Sequence, residues 1–471
     1  MLHRLRSLIP AALYGGHSAF PAVSKVASKL ARCSSADQAA DIADRAKPEL
    51  CARLRASFGS PAAEALTLKI LNLLLARYHF EARSVQVLSR PFGLVIDPSN
   101  VCRLACPCCV HFARSAELKL FDWPQSTLPV DCLSALLKRY GPYAIGALFC
   151  NYGEPLLNLN TPKLIRLAKT HLMGTAISTS LSVSRFDAEA YVASGLDYMG
   201  LSIDGATQPV YQQFRRNGDL ELVLANIRKI VDAKRTSGKD TPVLGWNFLA
   251  FEHNVHEIPL ALRMAHKLGV DQFRVMNPFD VSRDDPKIRP AAINGSIEWL
   301  NWRSLIHRPS NWNPFPESVD GHAIIQTFEK PWSDTPAWNE TPVWNGTPVA
   351  SSPPNSGHTC QWLYKNMVMD AKGRIMPCCG APRPDINLVF GTLDGNGSDP
   401  FNSEKYHQAR AWFAGEGFAS ETPSSADAPH CTRCEWDHTT VNIGSVEIRR
   451  YFKAADAAFF DRRTLRTLSN W

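Results

Sequence analysis

The 471-residue sequence predicts an α/β fold built on a parallel sheet or partial barrel. Short apolar runs that end in polar loops, typical of buried parallel strands, occur at residues 93–97, 145–151, 174–180, 198–204, 243–250 and 272–277. Amphipathic segments with helical spacing alternate with them at residues 128–140, 162–171, 188–193, 220–234 and 257–268. Such alternation favours parallel strands with a ligand site at their carboxyl ends.

Residues 1–89 are predicted to form a basic, mainly helical N-terminal region, with turns at residues 15–16, 47–48 and 59–61. Residues 1–90 contain 13 Lys and Arg residues against 6 Asp and Glu residues, so the entire net charge of +7 lies here. This surplus fits a solvated helical face; the alternatives are a surface for an acidic partner or an anionic membrane, or a transit peptide. The apolar run at residues 65–76 contains Lys69 and is shorter than the roughly 20 residues of a membrane span, so it predicts a packed helix.

Residues 283–357 interrupt the alternation with a segment rich in Pro, Asn and Trp, interpreted as a linker or insertion. The hexapeptide at residues 335–340 (TPAWNE) recurs at residues 341–346 (TPVWNG), which predicts an extended low-complexity linker. Because tryptophans are costly to leave in water, an aromatic surface that binds a sugar or peptide is the alternative.

A smaller ordered unit is predicted from residue 358 to residue 440. Residues 367–370 and 374–376 flank Ala371-Lys372-Gly373, which indicates a β-hairpin. A helix is predicted at residues 403–413. Residues 441–471 form a basic, aromatic C-terminal tail, for which we expect a helix.

Three cysteines, Cys102, Cys106 and Cys109, occur in one short run with the spacing C-x3-C-x2-C. Three thiolates this close can hold one face of a single [4Fe–4S] cluster, which normally takes four cysteine ligands, so one iron is left open to bind a small molecule. A zinc ion completed by a remote ligand is the alternative. Tight cysteine clusters in a long chain also favour a reducing cytoplasm over a disulfide scaffold.

A second motif, Gly153-Glu154 within residues 151–155, follows the second predicted strand. Together with the cysteine triplet and the segments at residues 201–205 and 211–218, it resembles the radical S-adenosylmethionine (SAM) superfamily. The resemblance implies a partial (β/α)6 TIM-like barrel over residues 90–282. It also implies that the open iron of the cluster binds the amino and carboxylate groups of SAM.

The same resemblance implies the residues that bind SAM. Gly153 and Glu154 are expected to contact the SAM amine, for which a carboxylate and free carbonyls are suitable acceptors. Ser202 is expected near the SAM ribose or carboxylate. Arg215, with Arg216 as the alternative, is expected to bind the SAM carboxylate through its planar guanidinium.

The sequence departs from the superfamily pattern at three places. Cys108 stands where an aromatic residue usually precedes the third cysteine of the triplet. Thr179-Ser180-Leu181 replaces the usual Thr-Asn-Gly after the third strand, and the usual fifth-strand glycine–glutamate pattern is not recognisable in residues 243–252. The adenine of SAM is therefore left without assigned contacts.

Four further cysteines fall in the C-terminal unit and can together hold one complete cluster: Cys360, Cys378, Cys431 and Cys434. With the segment at residues 373–378, they resemble the SPASM-type auxiliary-cluster domain, which implies a small α+β iron–sulfur (SPASM/twitch-like) unit and a second [4Fe–4S] cluster. Cys379 is the alternative to Cys378 as a ligand. A zinc ribbon is the alternative to the auxiliary cluster.

The resemblance implies a radical SAM enzyme that reductively cleaves SAM to a 5′-deoxyadenosyl radical and abstracts hydrogen from a substrate. A peptide or protein substrate is expected, with a carbohydrate or small molecule as the alternative. An external electron donor such as flavodoxin or ferredoxin is expected, and neither a nucleic-acid partner nor a transmembrane segment is. The non-enzymatic alternatives are an iron–sulfur electron carrier and a zinc-bearing binding module. No catalytic acid or base can be named from the sequence.

Overall fold

The computed structural model describes residues 20–107, 109, 125–276, 278, 285–291, 297–299, 360–378, 388–393, 399–415 and 431. Its helices are α1 (Phe20–Leu30), α2 (Ala36–Phe58), α3 (Ser60–Glu81), α4 (Val130–Tyr140), α5 (Thr161–Thr170), α6 (Ala188–Ala193), α7 (Gln208–Phe214), α8 (Leu220–Thr236), α9 (Ile258–Leu268), α10 (Trp362–Lys365) and α11 (Glu404–Ala414). Its strands are β1 (Gly93–Ile96), β2 (Gly146–Phe149), β3 (Gly174–Thr179), β4 (Tyr198–Ser202), β5 (Val243–Leu249), β6 (Gln272–Met276), β7 (Ile297–Trp299), β8 (Asn366–Met369), β9 (Arg374–Met376) and β10 (Gly391–Thr392).

The strands form one mixed sheet in the order β10-β9-β8-β1-β2-β3-β4-β5-β6-β7. Strands β1 to β6 are parallel and adjacent in chain order, with helices between successive strands. This arrangement confirms the predicted α/β partial barrel with its helical N-terminal extension, and each of these six strands ends within two residues of its predicted limits. At one edge β7 runs antiparallel to β6, and at the other edge β8 runs parallel to β1.

Local side-chain chemistry explains where the connecting helices begin and end. Asp187 precedes α6 and accepts a hydrogen bond from the backbone N–H of Ala190 at 2.9 Å. Asp219 does the same for α8 through Leu222 at 3.0 Å. Such carboxylates satisfy N–H groups that have no partner inside the helix. Helix α9 ends at Gly269, whose φ of +79° is left-handed and therefore suits glycine.

The N-terminal helices correct one prediction and confirm another. The turn predicted at residues 47–48 is wrong, because α2 continues through Pro48. A proline inside a helix costs about 3 kcal/mol, but Leu50 and Leu54 of the same helix are buried in the main core, and this packing outweighs the lost hydrogen bond. The turn predicted at residues 59–61 is confirmed by Gly59, whose φ is +77° between α2 and α3. The turn predicted at residues 15–16 lies outside the described residues.

The apolar run at residues 65–76 lies within α3 and is a packed helix, as predicted. Its Lys69 is buried and donates hydrogen bonds to the carbonyls of Gly141, at 3.1 Å, and Ala144. Burial lowers the pKa of Lys69 to about 7. The buried amine thereby links the N-terminal helices to the segment before β2. None of the helices that the structure describes combines the length and the apolar character needed to cross a bilayer.

The C-terminal hairpin of β8 and β9 continues the sheet of the core. The backbone N–H of Phe92 donates to Lys365 at 2.9 Å, and that of Asp97 donates to Met369 at 2.8 Å, at the two ends of the β1–β8 pair. The predicted hairpin is therefore present, and it is joined to the core by backbone hydrogen bonds. Cys378 follows β9 directly and so lies in the part of the chain that this pairing fixes.

Arg410 of α11 connects three parts of the chain. Its buried guanidinium donates five hydrogen bonds: two to the Leu363 carbonyl, one each to the carbonyls of Phe401 and Val85, and one to Asn402. It also lies 4.8 Å from the centre of the Phe401 ring. Burial lowers the pKa of Arg410 to about 10. The side chain joins α11 to α10 and to the segment after α3.

We expect Arg410→Met to destabilise the fold by about 3 kcal/mol or more, since each buried acceptor left without a donor costs roughly 1–3 kcal/mol. Methionine approximates the length of the arginine stem, so the loss reports mainly the hydrogen bonds. Urea unfolding of the anaerobic protein measures the effect. Gln408→Ala, a half-buried position on the same helix whose side chain bonds to Glu404, is the matched control. Equal unfolding midpoints for the two variants would contradict the prediction.

Candidate functional site

The cysteine loop begins a few residues after β1, at the carboxyl edge of the parallel strands. Cys106 is buried, and Cys102 and Cys109 are half-buried. The backbone N–H of Cys109 donates to the carbonyl of Cys106 at 3.1 Å, and that of Ala105 donates to the carbonyl of Arg216 at 3.0 Å. The loop is therefore tied both to itself and to the segment after α7. The structure places the triplet where the sequence predicted a ligand site.

An apolar shell surrounds the three thiols. Its buried members, besides Cys106, are Leu104, Phe214, Phe251 and Ile288, and Cys102, Cys109 and Leu249 pack against them. Burial and the nearby charge of Glu154 raise the pKa of Cys102 to about 12. Burial also raises the pKa of Cys106, although Arg215 opposes the shift. Without a cation the Cys102 and Cys106 thiols are neutral, whereas a bound metal stabilises their thiolates.

The donor set fits a multinuclear cluster. Among the described residues, no three His, Cys, Asp or Glu side chains are arranged to hold a single metal ion. A [4Fe–4S] cluster takes one thiolate per iron, so its ligands need not meet at one point. Cys106 and Cys109 lie close enough to Cys102 to raise its pKa. Three soft thiols in a dry shell suit iron and inorganic sulfide.

The Gly153-Glu154 loop packs directly against the segment that precedes the cysteines. The backbone N–H of Glu154 donates to the carbonyl of Val101 at 2.7 Å. A Cβ atom on Gly153 would lie 1.9 Å from the carbonyl oxygen of Ser99 and 2.7 Å from the backbone nitrogen of Val101. Only glycine permits this approach. The loop after β2 is therefore held against the residues that lead into the cysteine triplet.

The buried carboxylate of Glu154 accepts four hydrogen bonds. Their donors are the backbone N–H of Leu156 at 3.2 Å, the Thr179 hydroxyl at 2.5 Å, and the backbone N–H and hydroxyl of Ser180 at 2.9 and 2.6 Å. These bonds fix the loop after β2 to the end of β3. Thr179, and Ser180, which departs from the superfamily pattern, thus acquire a structural role. The contact of Gly153 and Glu154 with a SAM amine stays a prediction.

Arg215 lies beside the cysteine triplet. Its Nε donates to the buried carboxylate of Asp204 at 2.5 Å, and one terminal nitrogen lies 3.8 Å from the Sγ atom of Cys106. The other oxygen of Asp204 accepts the backbone N–H of Leu249 at 2.6 Å. Burial raises the pKa of Asp204, and Arg215 opposes that shift. Arg216 instead pairs with Asp285, so of the two arginines Arg215 contacts the triplet.

Ser202 is half-buried at the end of β4, and its predicted contact with SAM stays a prediction. It pairs in register with Asn247 of β5, which pairs with Arg274 of β6. Residues paired in this way lie on the same face of a sheet. Two positions earlier, Ser178 of β3 and Gln272 of β6 lie on that face as well. A polar band therefore crosses the sheet near its carboxyl edge.

A short segment after β6, residues 285–291, crosses over the apolar shell; we call it the strap. Its backbone pairs with the segment after β5, through Glu252 and Arg289 at 2.9 Å and through Ala250 and Ala291 at 3.0 Å. Ile288 of the strap is buried in the shell. The predicted linker at residues 283–357 thus begins with residues that are packed against the cysteine loop, and its repeat lies outside the described residues.

The structure brings part of the auxiliary cysteine set together. Cys360 and Cys431 are buried and Cys378 is half-buried, all against the main core. Burial raises the pKa of Tyr406, and Cys431 and Cys378 raise it further, so both thiols lie within electrostatic range of that phenol. Cys434 and the alternative ligand Cys379 lie outside the described residues. The auxiliary ligand set stays a prediction.

Sequence reasoning missed several residues that shape the site: Asp97, Thr179, Ser180, Asp204 and Asp285. Asp204 lies two residues after β4, inside the recognised motif at residues 201–205. Its position eleven residues before Arg215 is a sequence signal that could have identified this ion pair. Thr179 and Ser180 were noticed only as part of a segment that departs from the superfamily pattern at Ser180 and Leu181. The sequence carries no local signal for Asp285, because its partner Arg216 is distant along the chain.

Comparison with known proteins agrees with the site. Residues 96–248 match the Radical SAM superfamily. A GTP 3′,8-cyclase from Rhodopseudomonas palustris is 30% identical over 192 residues, which are 38% of this chain and 52% of that protein. A pre-heme d1 synthase from Dinoroseobacter shibae is 30% identical over 175 residues, 36% of this chain and 40% of that protein. The chain spans about half the length of the curated relatives it matches.

Solved structures are similar at low sequence identity. Streptococcus suis SuiB has a TM-score of 0.41 and 14% identity, with 78% of this chain and 81% of SuiB covered. The structure of anSMEcpe with bound AdoMet has a TM-score of 0.40 and 14% identity, with 79% and 96% covered. Residues 96–248, which carry the cysteine triplet and most of the parallel strands, are therefore similar to the Radical SAM superfamily.

We expect Ile288→Ala in the strap to accelerate loss of the triplet's cluster in air several-fold, because the smaller side chain opens the apolar shell to water and oxygen. The decay of the visible iron–sulfur absorbance measures the rate. Lys287→Ala, at the exposed neighbouring position, is the matched control. Decay at the same rate in both variants would show that the strap does not protect the cluster.

Proposed function

We propose that this enzyme reductively cleaves SAM and abstracts hydrogen from a peptide or protein substrate. The observation that carries the proposal is the placement of three thiols in an apolar shell, with Arg215 against Cys106. When bound, a [4Fe–4S] cluster with one open iron supplies the electron that splits SAM into methionine and a 5′-deoxyadenosyl radical. The protein orients SAM and excludes water from it.

Each of the candidate site residues has its own role in the proposed reaction. Cys102, Cys106 and Cys109 hold the cluster. The loop carrying Gly153 and Glu154 presents acceptors to the SAM amine, and its rigid attachment to β3 fixes their direction. Ser202 at the end of β4 bonds to the ribose or carboxylate, and Arg215 binds the carboxylate. Asp204 keeps Arg215 charged and in place.

A second [4Fe–4S] cluster on Cys360, Cys378, Cys431 and Cys434 belongs to the same proposal. The proximity of Cys378 and Cys431 to Tyr406 supports it. The attachment of the hairpin to β1 supports it also, since residues 366–369, in the proposed SPASM-type unit (residues 358–440), pair with residues 93–96, in the proposed radical SAM core (residues 90–282). Such a cluster accepts an electron from the substrate or ligates it.

A small-molecule or carbohydrate substrate is the second candidate. It is favoured by the curated relatives, which include two proteins named as GTP 3′,8-cyclases and one named as a pre-heme d1 synthase. The polar band through Ser202, Asn247 and Arg274 suits a substrate with hydrogen-bonding groups of either kind. Peptide modification is preferred because auxiliary-cluster domains often accompany it.

The proposal also includes the cellular location, the electron donor and the domain organisation of the protein. Reduced thiols at ligand spacing suit a cytoplasmic location. An external one-electron donor, such as flavodoxin or ferredoxin, supplies the reducing equivalent. The basic helical region at residues 1–89, the linker or insertion at residues 283–357 and the tail at residues 441–471 complete the proposed domain organisation.

The proposal is tested by reconstituting the chain with iron and sulfide without oxygen, then adding SAM and dithionite. We expect about eight irons per chain, four for each cluster, and the release of 5′-deoxyadenosine. Incubation without dithionite is the control. Iron uptake without any 5′-deoxyadenosine would contradict the proposal and favour an electron carrier, whereas zinc in place of iron would favour a binding module.

A further inference from the structure

Asp97 has an unusual environment directly after β1. Its side chain is buried, and no donor in the part of the chain that the structure describes reaches full hydrogen-bond geometry with either carboxyl oxygen. A buried polar group without a partner is costly and rare in folded proteins. The residue lies five positions before Cys102, outside the cluster ligands themselves. Nothing in the superfamily motifs accounts for this carboxyl group.

The groups around Asp97 point to its role. The backbone N–H groups of Gly153 and Tyr152 face the carboxyl group and favour its ionised form. Asp370 follows β8, the strand paired with β1, and its negative charge disfavours the ionised form of Asp97. Asp370 is itself bound to the Arg374 side chain at 2.6 Å. Asp97 therefore lies between a negative neighbour and the loop that is proposed to bind the SAM amine.

We propose that Asp97 is a positioning residue for SAM, whose carboxylate accepts the N–H groups of Tyr152 and Gly153 and so orients their peptide planes. This inference rests on the proposed function. In a planar trans peptide the N–H and the carbonyl point in opposite directions. When the two N–H groups turn toward Asp97, the carbonyls of Asn151 and Tyr152 turn away from it, where they can accept hydrogen bonds from the SAM amine.

Other contacts hold the neighbouring residues of the same loop. Gly153 is pressed against Ser99 and Val101 on one side. The carboxylate of Glu154 is held by Thr179 and Ser180. Asp97 adds a contact that faces the backbone N–H groups of Tyr152 and Gly153. A charged acceptor binds such N–H groups more strongly than a neutral one.

The protonation state of Asp97 makes this role dependent on pH. Burial raises the pKa of Asp97 to about 8, with the two N–H groups opposing the shift and Asp370 adding to it. Below that pH the group is neutral, and above it the carboxylate is charged and accepts both N–H groups. SAM affinity is therefore expected to increase as the pH rises through about 8.

The test measures equilibrium binding of SAM by the anaerobically reconstituted full chain between pH 6.5 and 9. We expect wild-type affinity to rise about tenfold more over this range than that of Asp97→Asn, which cannot ionise. Because the SAM amine itself titrates, the difference between the two proteins isolates Asp97. Asp232→Asn, at an exposed position on α8, is the control and should follow the wild type. Identical affinities and pH profiles for wild type and Asp97→Asn would overturn the inference.

A second variant keeps the test decisive if Asp97→Asn takes up little iron. Asp370→Asn removes the negative neighbour and should move the midpoint of the wild-type pH profile to lower pH, because the pKa of Asp97 falls. An unchanged midpoint would overturn the inference while leaving SAM cleavage intact. Failure of the wild type to bind SAM at any pH would instead contradict both the proposed function and the role of Asp97.

Discussion

Replacing Cys106 with alanine will abolish the cleavage of SAM. Cys106 is the buried member of the triplet, and it contacts Arg215 at 3.8 Å. With two thiolates left, the cluster loses one of its three protein ligands. We expect 5′-deoxyadenosine to fall below detection and iron content to fall by about four atoms per chain. Iron analysis and chromatography of the products measure both effects.

The control for this prediction is a cysteine outside both proposed ligand sets. Cys51 lies on α2 in the N-terminal helices and is half-buried, so Cys51→Ala changes the same chemistry in another place. This variant should retain full iron content and SAM cleavage. If Cys106→Ala cleaved SAM as fast as Cys51→Ala, the triplet could not be the site of the reaction.

The second large effect is expected from Arg215→Met. The variant leaves the buried carboxylate of Asp204 without its partner, and breaking a buried ion pair in this way costs about 3–5 kcal/mol. We also expect SAM binding to weaken by about 100-fold, since a charged carboxylate contact is worth roughly 1.5–3 kcal/mol. Urea unfolding and equilibrium binding of SAM measure the two losses separately.

A double variant separates the two roles of Arg215. Asp204→Asn combined with Arg215→Met removes both charges, so much of the lost stability should return. SAM binding should not return, because the contact to the SAM carboxylate is still missing. Recovery of both properties together would mean that Arg215 serves only as the partner of Asp204.

Much of the fold could be predicted because its signals are local. Each parallel strand is a short apolar run that ends in a polar loop, and each connecting helix has its own periodicity, so both could be recognised in isolation. The pairing of β8 with β1 could not, since it depends on register between segments more than 270 positions apart. Pro48 shows the opposite case. Its local signal predicts a turn, but the burial of Leu50 and Leu54 keeps the chain helical at this position.

The candidate site, too, could be predicted only where its signals are local in the sequence. Cys102, Cys106 and Cys109 were found because their spacing is a local pattern with a chemical meaning. The partners that orient the residues proposed to bind SAM were not found. Asp97 faces a loop more than 50 positions away, and Thr179 and Ser180 bind Glu154 from the next strand. Such contacts exist only once the parallel sheet has brought the strand ends together.

The position of the strap also follows from tertiary structure alone. Residues 285–291 begin a segment whose composition indicates a linker, and nothing in that composition predicts that Ile288 is buried beside Cys106. Its backbone pairing with the segment after β5 and the ion pair of Asp285 with Arg216 hold it there. The cover of the site is thus formed by a part of the chain that carries no superfamily motif.

The central claim is that the iron left without a cysteine ligand binds SAM directly. Electron paramagnetic resonance of the reduced chain tests it, with SAM labelled by nitrogen-15 at the amine and oxygen-17 at the carboxylate. Because Cys102, Cys106 and Cys109 supply three ligands for four irons, both labels should produce hyperfine coupling to the cluster. A spectrum unchanged by SAM and by either label would show that a protein side chain fills that iron and would contradict the account.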